Sequence, residues 1–197
     1  MPTGVHIRDV RKQLFDAAGR VLLRDGASAL TSRAVTAEAG VAKGVLHRHF
    51  TDFDAFLAEL AGARIARIED QAAALRAAAG TGTVAGHVTR ALTELFDPVA
   101  VALTRLVLFR DELRTRLRRG RPHGIPILTE GTAMLAAYLT AECELGRVAA
   151  DTDAGSLAPA LIGAGHLLFT DPRPPEPADV ARVVESVLAD VLQRRLL

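Results

Sequence analysis

The sequence is short of cysteine, tryptophan, tyrosine and lysine, and each shortage narrows what the chain can be. Of 197 residues one is Cys, one is Tyr and none is Trp. A single thiol cannot close an internal disulfide, so nothing calls for an oxidising compartment. Scarce Tyr and Trp argue against a large aromatic cage for a ligand. No charged-then-apolar leader opens the chain, and no apolar run approaches the roughly 20 residues of a membrane helix; a soluble cytoplasmic protein is expected. Lysine stands only at positions 12 and 43, the other cations being Arg, and the formal net charge of +1 names no partner. Apolar residues make up 49% and charged residues 24%. That is a globular balance rather than a disordered one, and the length provides a proper core.

What is present is helical periodicity. Val10, Leu14, Ala18, Val21 and Leu22 recur at three- and four-residue spacing, with Gly26 at the expected stop. Thr31 and Ser32 are N-cap types for a second short helix ending near Ala39, and a third is expected from about Ala42 to His49. Longer helices follow over about 53–79, 83–96, 98–119, 127–145, 153–169 and 180–196. Asp97-Pro98 is a helix start, Pro159 should disturb the first turns of its helix, and the proline-rich stretch 171–177 is a connection. No strand pattern survives, and the expected fold class is all-α: a three-helix helix-turn-helix domain over 1–52 and a larger helical domain over 53–197.

The segment from Leu30 to Phe50 carries the chemistry. Val35 and Ala39 face a core, Gly40 permits a turn, and Val41 and Leu46 plug the following helix against the preceding one. That following helix offers Lys43, His47, Arg48 and His49 with no acid between Ala42 and Phe50. A short cationic helix of this kind can enter a DNA major groove, while a generic αα-hairpin with solvated charges has the same spacing.

Ala39-Gly40-Val41, Lys43-Gly44, Leu46-x-Arg48-His49-Phe50 and Phe53-x-Ala55-Phe56-Leu57 together resemble the TetR/AcrR family of bacterial transcriptional regulators. The resemblance covers about 45 residues and implies DNA binding. Carried across, Thr31 caps the second helix and touches a phosphate, and Ser32 and Arg33 lie near the groove rim. Lys43 and Gly44 open the recognition helix at the DNA, with His47 and His49 on phosphates and Arg48 beside them. The chain departs from the family at Ala42 and Val45, where a hydroxyl is usual, at His47 for Tyr, at Phe53 for Lys, and at Thr36 for Ala. These departures imply fewer phosphate contacts, more pH sensitivity through His47 and His49, or more reliance on Arg8, Arg11 and Lys12.

The resemblance also implies a dimer and a small-molecule sensor in the C-terminal part. The helices near 153–169 and 180–196 are the dimer candidates, with Val183, Val184, Val187 and Val191 as an apolar stripe and Gly163, Ala164 and Gly165 allowing close approach. The pocket candidates are His87, Phe96, Leu103, Val107, Phe109, Met134, Leu135 and Tyr138, with Arg110 and His166 as further polar anchors; a lipophilic effector is expected. The function expected is a DNA-binding transcriptional regulator of repressor type: a dimer on a palindromic double-stranded DNA operator, released by a small effector. The alternative is a helical small-molecule binding protein with a degenerate helix-turn-helix.

Other patterns point elsewhere and are outweighed. Gly80-Thr-Gly82-x-x-x-Gly86 lacks the strand–turn–helix setting of a dinucleotide site. His47 and His49 diverge on a helix, and Cys143 has no matching ligands, so no metal or other cofactor is expected. No nucleophile elbow or zinc-helix motif occurs, and an enzyme is not expected. The run Arg114, Arg116, Arg118, Arg119 and Arg121 reads as a solvated helix end.

Overall fold

A computed structural model describes residues 6–118, 124–171 and 173–193. All regular structure among these residues is helical. In chain order the elements are α1 (His6–Asp25), a 3-10 turn at Ala27–Ala29, α2 (Ser32–Glu38), α3 (Val45–His49), α4 (Phe53–Ala77), α5 (Val84–Leu95), α6 (Pro98–Phe109), α7 (Asp111–Arg118), α8 (Pro126–Glu144), α9 (Ala154–Thr170) and α10 (Pro177–Gln193). The chain packs as two compact units. The first combines Met1–Ala63 with Ala102–Arg121, and the second combines Arg64–Val101 with Pro122–Leu197.

The first unit closes on Leu14, Ala18, Val21, Val35, Leu46 and Leu57, all with no exposed surface, and on Phe15, Phe50 and Phe56. Phe50 and Phe56 meet edge-on with ring centroids 5.1 Å apart, an arrangement that adds to simple area burial. Leu103, Val107 and Leu113 are buried in the same unit. In the second unit α8 packs on α9 and α10 on α5. Its core holds Val88, Leu92, Leu135, Tyr138, Leu161, Val184 and Leu188.

Side-chain caps start the helices where the sequence suggested. Thr31 Oγ1 accepts the Ala34 N–H at 3.1 Å, and Asp97 Oδ1 accepts the Ala100 N–H at 2.9 Å. Each satisfies a donor that the first helical turn leaves open. α9 runs through Pro159 without ending.

Three expectations are corrected. The helix expected over 98–119 is two helices, interrupted at Arg110. The interruption is tertiary in origin: Arg110 turns to Asp54 at 2.9 Å, and the Arg114 guanidinium donates to the Leu108 carbonyl at 2.8 Å, satisfying an end of α6. Asp111 and Glu112 then occupy the first turn of α7, where the helix dipole favours acids. The third helix is shorter than expected, beginning at Val45, because Ala42 to Gly44 form a turn closed by Val45 N–H to Ala42 O at 2.9 Å. Finally, Arg116 is not simply solvated but pairs with Asp52 at 3.1 Å. Arg119 and Arg121, and the side chains of Arg118 and Arg8, lie outside the described residues.

Candidate nucleic-acid interface and ligand cleft

The turn between α2 and α3 is fixed by backbone chemistry. Gly40 takes φ +67°, and the helix closes with Gly40 N–H to Ala37 O at 3.1 Å and Val41 N–H to Thr36 O at 3.0 Å. That double bond pattern needs a left-handed residue at its corner, which is where glycine costs least. Thr36 is buried and donates its hydroxyl to the Ser32 and Arg33 carbonyls at 2.9 and 3.2 Å. It is therefore a packed residue of α2 and not a surface hydroxyl. Leu46, with no exposed surface, holds α3 from beneath. Val41 is half-buried.

Charge pairing separates two populations of cations in the first unit. Arg20 and Arg24 both bind Glu38, at 2.7 and 2.8 Å, and Arg11 pairs with Glu59 while lying over the Phe50 ring. Lys12 pairs with Asp16 at 2.6 Å. Glu38 is the one acid between Gly26 and Thr51. Hydrogen bonds from Arg20 and then Arg24 hold its carboxyl below the usual carboxylate range, so it stays ionised and occupied. The side chains of Arg33, Lys43 and Arg48 are exposed and make no hydrogen bond or ion pair among the described residues. Thr31, Gly44 and His47 are exposed beside them, and Ser32 and His49 are half-buried. The α2–α3 surface is thus cationic, with its one acid already neutralised from α1.

The second unit holds a cleft of about 640 Å³ between α4 and α8, within the usual range of small-molecule sites. Ile68, Glu69, Ala72, Ala73, Arg76 and Ala77 line it from α4, and Glu130, Ala133, Met134 and Ala137 from α8. A smaller cavity of about 240 Å³ lies on the other side of Met134 and takes in Gln71, His87, Arg90 and Glu94. The Gln71 Oε1 atom is buried there without a partner.

Beneath the smaller cavity runs a buried polar chain. His87 Nδ1 and the Tyr138 hydroxyl are 3.0 Å apart, the donor being set by the imidazole tautomer. Burial, reinforced by Glu142, pushes the Tyr138 phenol upward, so it stays protonated. Glu142 is fully buried, accepts the Gly80 N–H at 3.3 Å and faces Arg147 at 3.5 Å. Arg147 in turn donates to the carbonyls of Thr81 and Gly82 at 2.9 and 2.6 Å. The Gly80–Gly82 link is thereby tied to the end of α8, a structural role for the glycines that resembled a nucleotide loop.

Of the pocket candidates, the structure brings His87, Met134 and Tyr138 together. Phe96 is buried elsewhere, stacked on Phe169 with centroids 5.6 Å apart and 6.0 Å from His166. Leu135 is core, Leu103 and Val107 are core of the first unit, and Phe109 is 86% exposed at the end of α6. The cleft residues that sequence reading missed include Glu69, Gln71, Ala72, Arg76, Arg90, Glu94, Glu130 and Ala133. Among the described residues no group of three or more His, Cys, Asp or Glu is arranged for a metal ion, and no helix is long and apolar enough to cross a membrane.

Comparison with known proteins agrees with this geometry. Residues 14–60 match the family model described as bacterial regulatory proteins, tetR family. No curated protein sequence matches the chain. Solved structures match over nearly all of it. A protein of Mesorhizobium loti described as a TetR-family transcriptional regulator is 18% identical, with 96% of this chain and 98% of that one covered and a TM-score of 0.69. The transcriptional regulator FadR of Bacillus subtilis, in complex with stearoyl-CoA, is 20% identical over 93% and 98% of the two chains, with a TM-score of 0.66. GusR of Salmonella enterica is 16% identical over 96% and 98%, with a TM-score of 0.71. Residues 14–60 thus match the model of the tetR family of bacterial regulatory proteins, and the chain shares its fold with these solved structures.

Proposed function

We propose that this protein is a transcriptional repressor that binds a palindromic operator as a homodimer and is released by a small lipophilic effector. In this reading residues 1–52 meet the DNA and residues 53–197 bind the effector and the second protomer. The carrying observation is the α2–α3 surface, where Arg33, Lys43 and Arg48 have no acid to satisfy. Phosphates are the natural partners of such cations, and Thr31, Ser32, Gly44, His47 and His49 complete the DNA-facing set. Two protomers related by a two-fold axis would present their α3 helices about 34 Å apart, one turn of B-DNA.

The dimer contact is assigned to α9 and α10. Leu167 is 75% exposed on α9, with exposed Ala160 and Gly163 nearby on the same helix, an apolar and small-residue surface of the kind that permits close helix approach. The effector is assigned to the cavities flanking Met134, with His87 as a polar member and the Tyr138 hydroxyl bonded behind it. The stearoyl-CoA held by the Bacillus subtilis FadR supports a lipophilic ligand for this fold. An effector that prefers a conformation unsuited to DNA lowers operator affinity by the same coupling energy with which DNA lowers effector affinity.

The departure at Ala42 and Val45, neither of which offers a hydroxyl, favours a second reading as a small-molecule binding protein without DNA affinity. Fluorescence anisotropy with the DNA flanking the protein's own gene, against a scrambled duplex, separates the two. Sequence-selective binding that Lys43→Ala/Arg48→Ala strongly weakens is the expected result. Equal, weak binding to both duplexes, unchanged in the variant, overturns the repressor reading.

A further inference from the structure

The α4–α8 cleft has a direction, which rests on the register of its two walls. The backbone N–H of Gly80, just past α4, bonds Glu142 near the end of α8 at 3.3 Å, so both helices run toward that contact. Counting back at 1.5 Å per residue, Glu69 and Glu130 both lie about 17 Å from it. The two carboxylates therefore share one end of the cleft, while Arg76, Ala77 and Ala137 lie about 10–12 Å further along, toward the other. Between them the floor is Ala72, Ala73 and Ala133 with Met134, short side chains that leave a lane plus one adaptable thioether.

Neither the Glu69 nor the Glu130 carboxylate has a hydrogen bond or ion pair among the described residues. Glu130 is half-buried, whereas Glu69 and Arg76 are exposed, which puts Glu69 at the open edge of the cleft. Arg76 can therefore keep its head in water while its stem borders the lane. At about 10 Å its charge is also largely screened from the acidic end at physiological salt.

We propose that this cleft takes an amphipathic cation, with an ammonium-type head between Glu69 and Glu130 and an apolar chain or ring system about 10 Å long over the alanines. Charge complementarity selects the occupant. An anionic amphiphile laid in the same lane would bring its tail against two uncompensated carboxylates or its head beside them. The inference rests on the proposed effector role and sharpens it from a lipophilic ligand to a lipophilic cation.

Isothermal titration of the full chain with decyltrimethylammonium, decanol and decanoate, all below micelle formation, tests it. The cation should bind at least tenfold tighter than either chain-matched probe. Glu69→Gln/Glu130→Gln should remove that preference and leave decanol unchanged, and Ala133→Trp should block all three. Decanoate binding as tightly as the cation, or a preference that survives the double variant, overturns the inference. So does an Ala133→Trp chain that loses self-association yet keeps the probe, since a second copy would then cover the cleft. Operator anisotropy is read in parallel. Cation binding without operator binding sinks the repressor reading alone, and operator release by decanoate but not by the cation sinks this inference alone.

Discussion

Replacing Arg64 tests the energetic reasoning applied to the second unit. Its side chain is 4% exposed; one nitrogen donates to the carbonyls of Glu94 and Leu95 at 2.8 and 3.1 Å, and another lies 2.6 Å from Asp97. Those carbonyls belong to the last residues of α5, which have no helical donor, and Asp97 is the N-cap of α6. One cation thus closes one helix and braces the start of the next. Arg64→Met keeps most of the apolar stem and removes the charge. Breaking a buried pair from one side costs about 3–5 kcal/mol. Asp97 is 31% exposed and can regain water, so the lower end applies, about 3 kcal/mol. Burial also pulls the Arg64 guanidinium below its ordinary range, a desolvation cost that the substitution relieves and that keeps the figure from rising further. Asp97→Asn, which retains a capping oxygen, should cost about 1–2 kcal/mol, and the double variant should cost less than the two singles together. Urea unfolding followed by circular dichroism at 222 nm reads all three, provided the slope with denaturant is unchanged. A loss below about 1 kcal/mol for Arg64→Met would mean that the buried guanidinium only breaks even with its desolvation, and the argument would fail.

Operator affinity should fall with log salt at a slope of about −5, for three cations on each of two protomers, and at about −2 for Lys43→Ala/Arg48→Ala; equal slopes would remove both residues from the phosphates. Leu46→Ala empties a fully buried site under α3 and should cost about 2–5 kcal/mol in thermal or urea unfolding, whereas a loss under 1 kcal/mol would contradict its packing role. Asp52 is held below the usual Asp value by the Ala55 N–H and then Arg116. A depressed pKa contributes stability above the unfolded value near 3.8 that is lost as pH falls through the folded one. Asp52→Asn should therefore flatten the acid limb of the stability–pH curve below about pH 4 and leave its shape near neutrality; an unchanged acid limb would refute the pairing.

Local features were legible in the sequence because their causes are local. Thr31, Gly40 and Asp97 act on residues three or four positions away, so caps and turns could be read directly. The exposed cations of α2 and α3 were readable for the same reason, within one 20-residue stretch. The break at Arg110 was not, since no Gly or Pro marks it and its cause is Asp54, 56 residues earlier. The cleft was hidden differently. Its floor is alanine drawn from two helices some 60 residues apart, a residue without chemical signature, while conspicuous side chains such as Phe96, Leu103 and Val107 were ordinary core.

The discontinuity of the first unit bears on how such proteins diversify. Asp52 and Asp54, at the start of α4, are answered by Arg116 and Arg110 from a segment that returns after residue 101. A recombination event that grafted residues 1–60 onto another chain would separate each acid from its arginine, and the transplanted segment would arrive with two unanswered carboxylates. The two stretches must be inherited as a set, or change in step. The first 60 residues are thus not a free cassette, and new combinations of the two stretches are expected to arise by drift in place rather than by exchange.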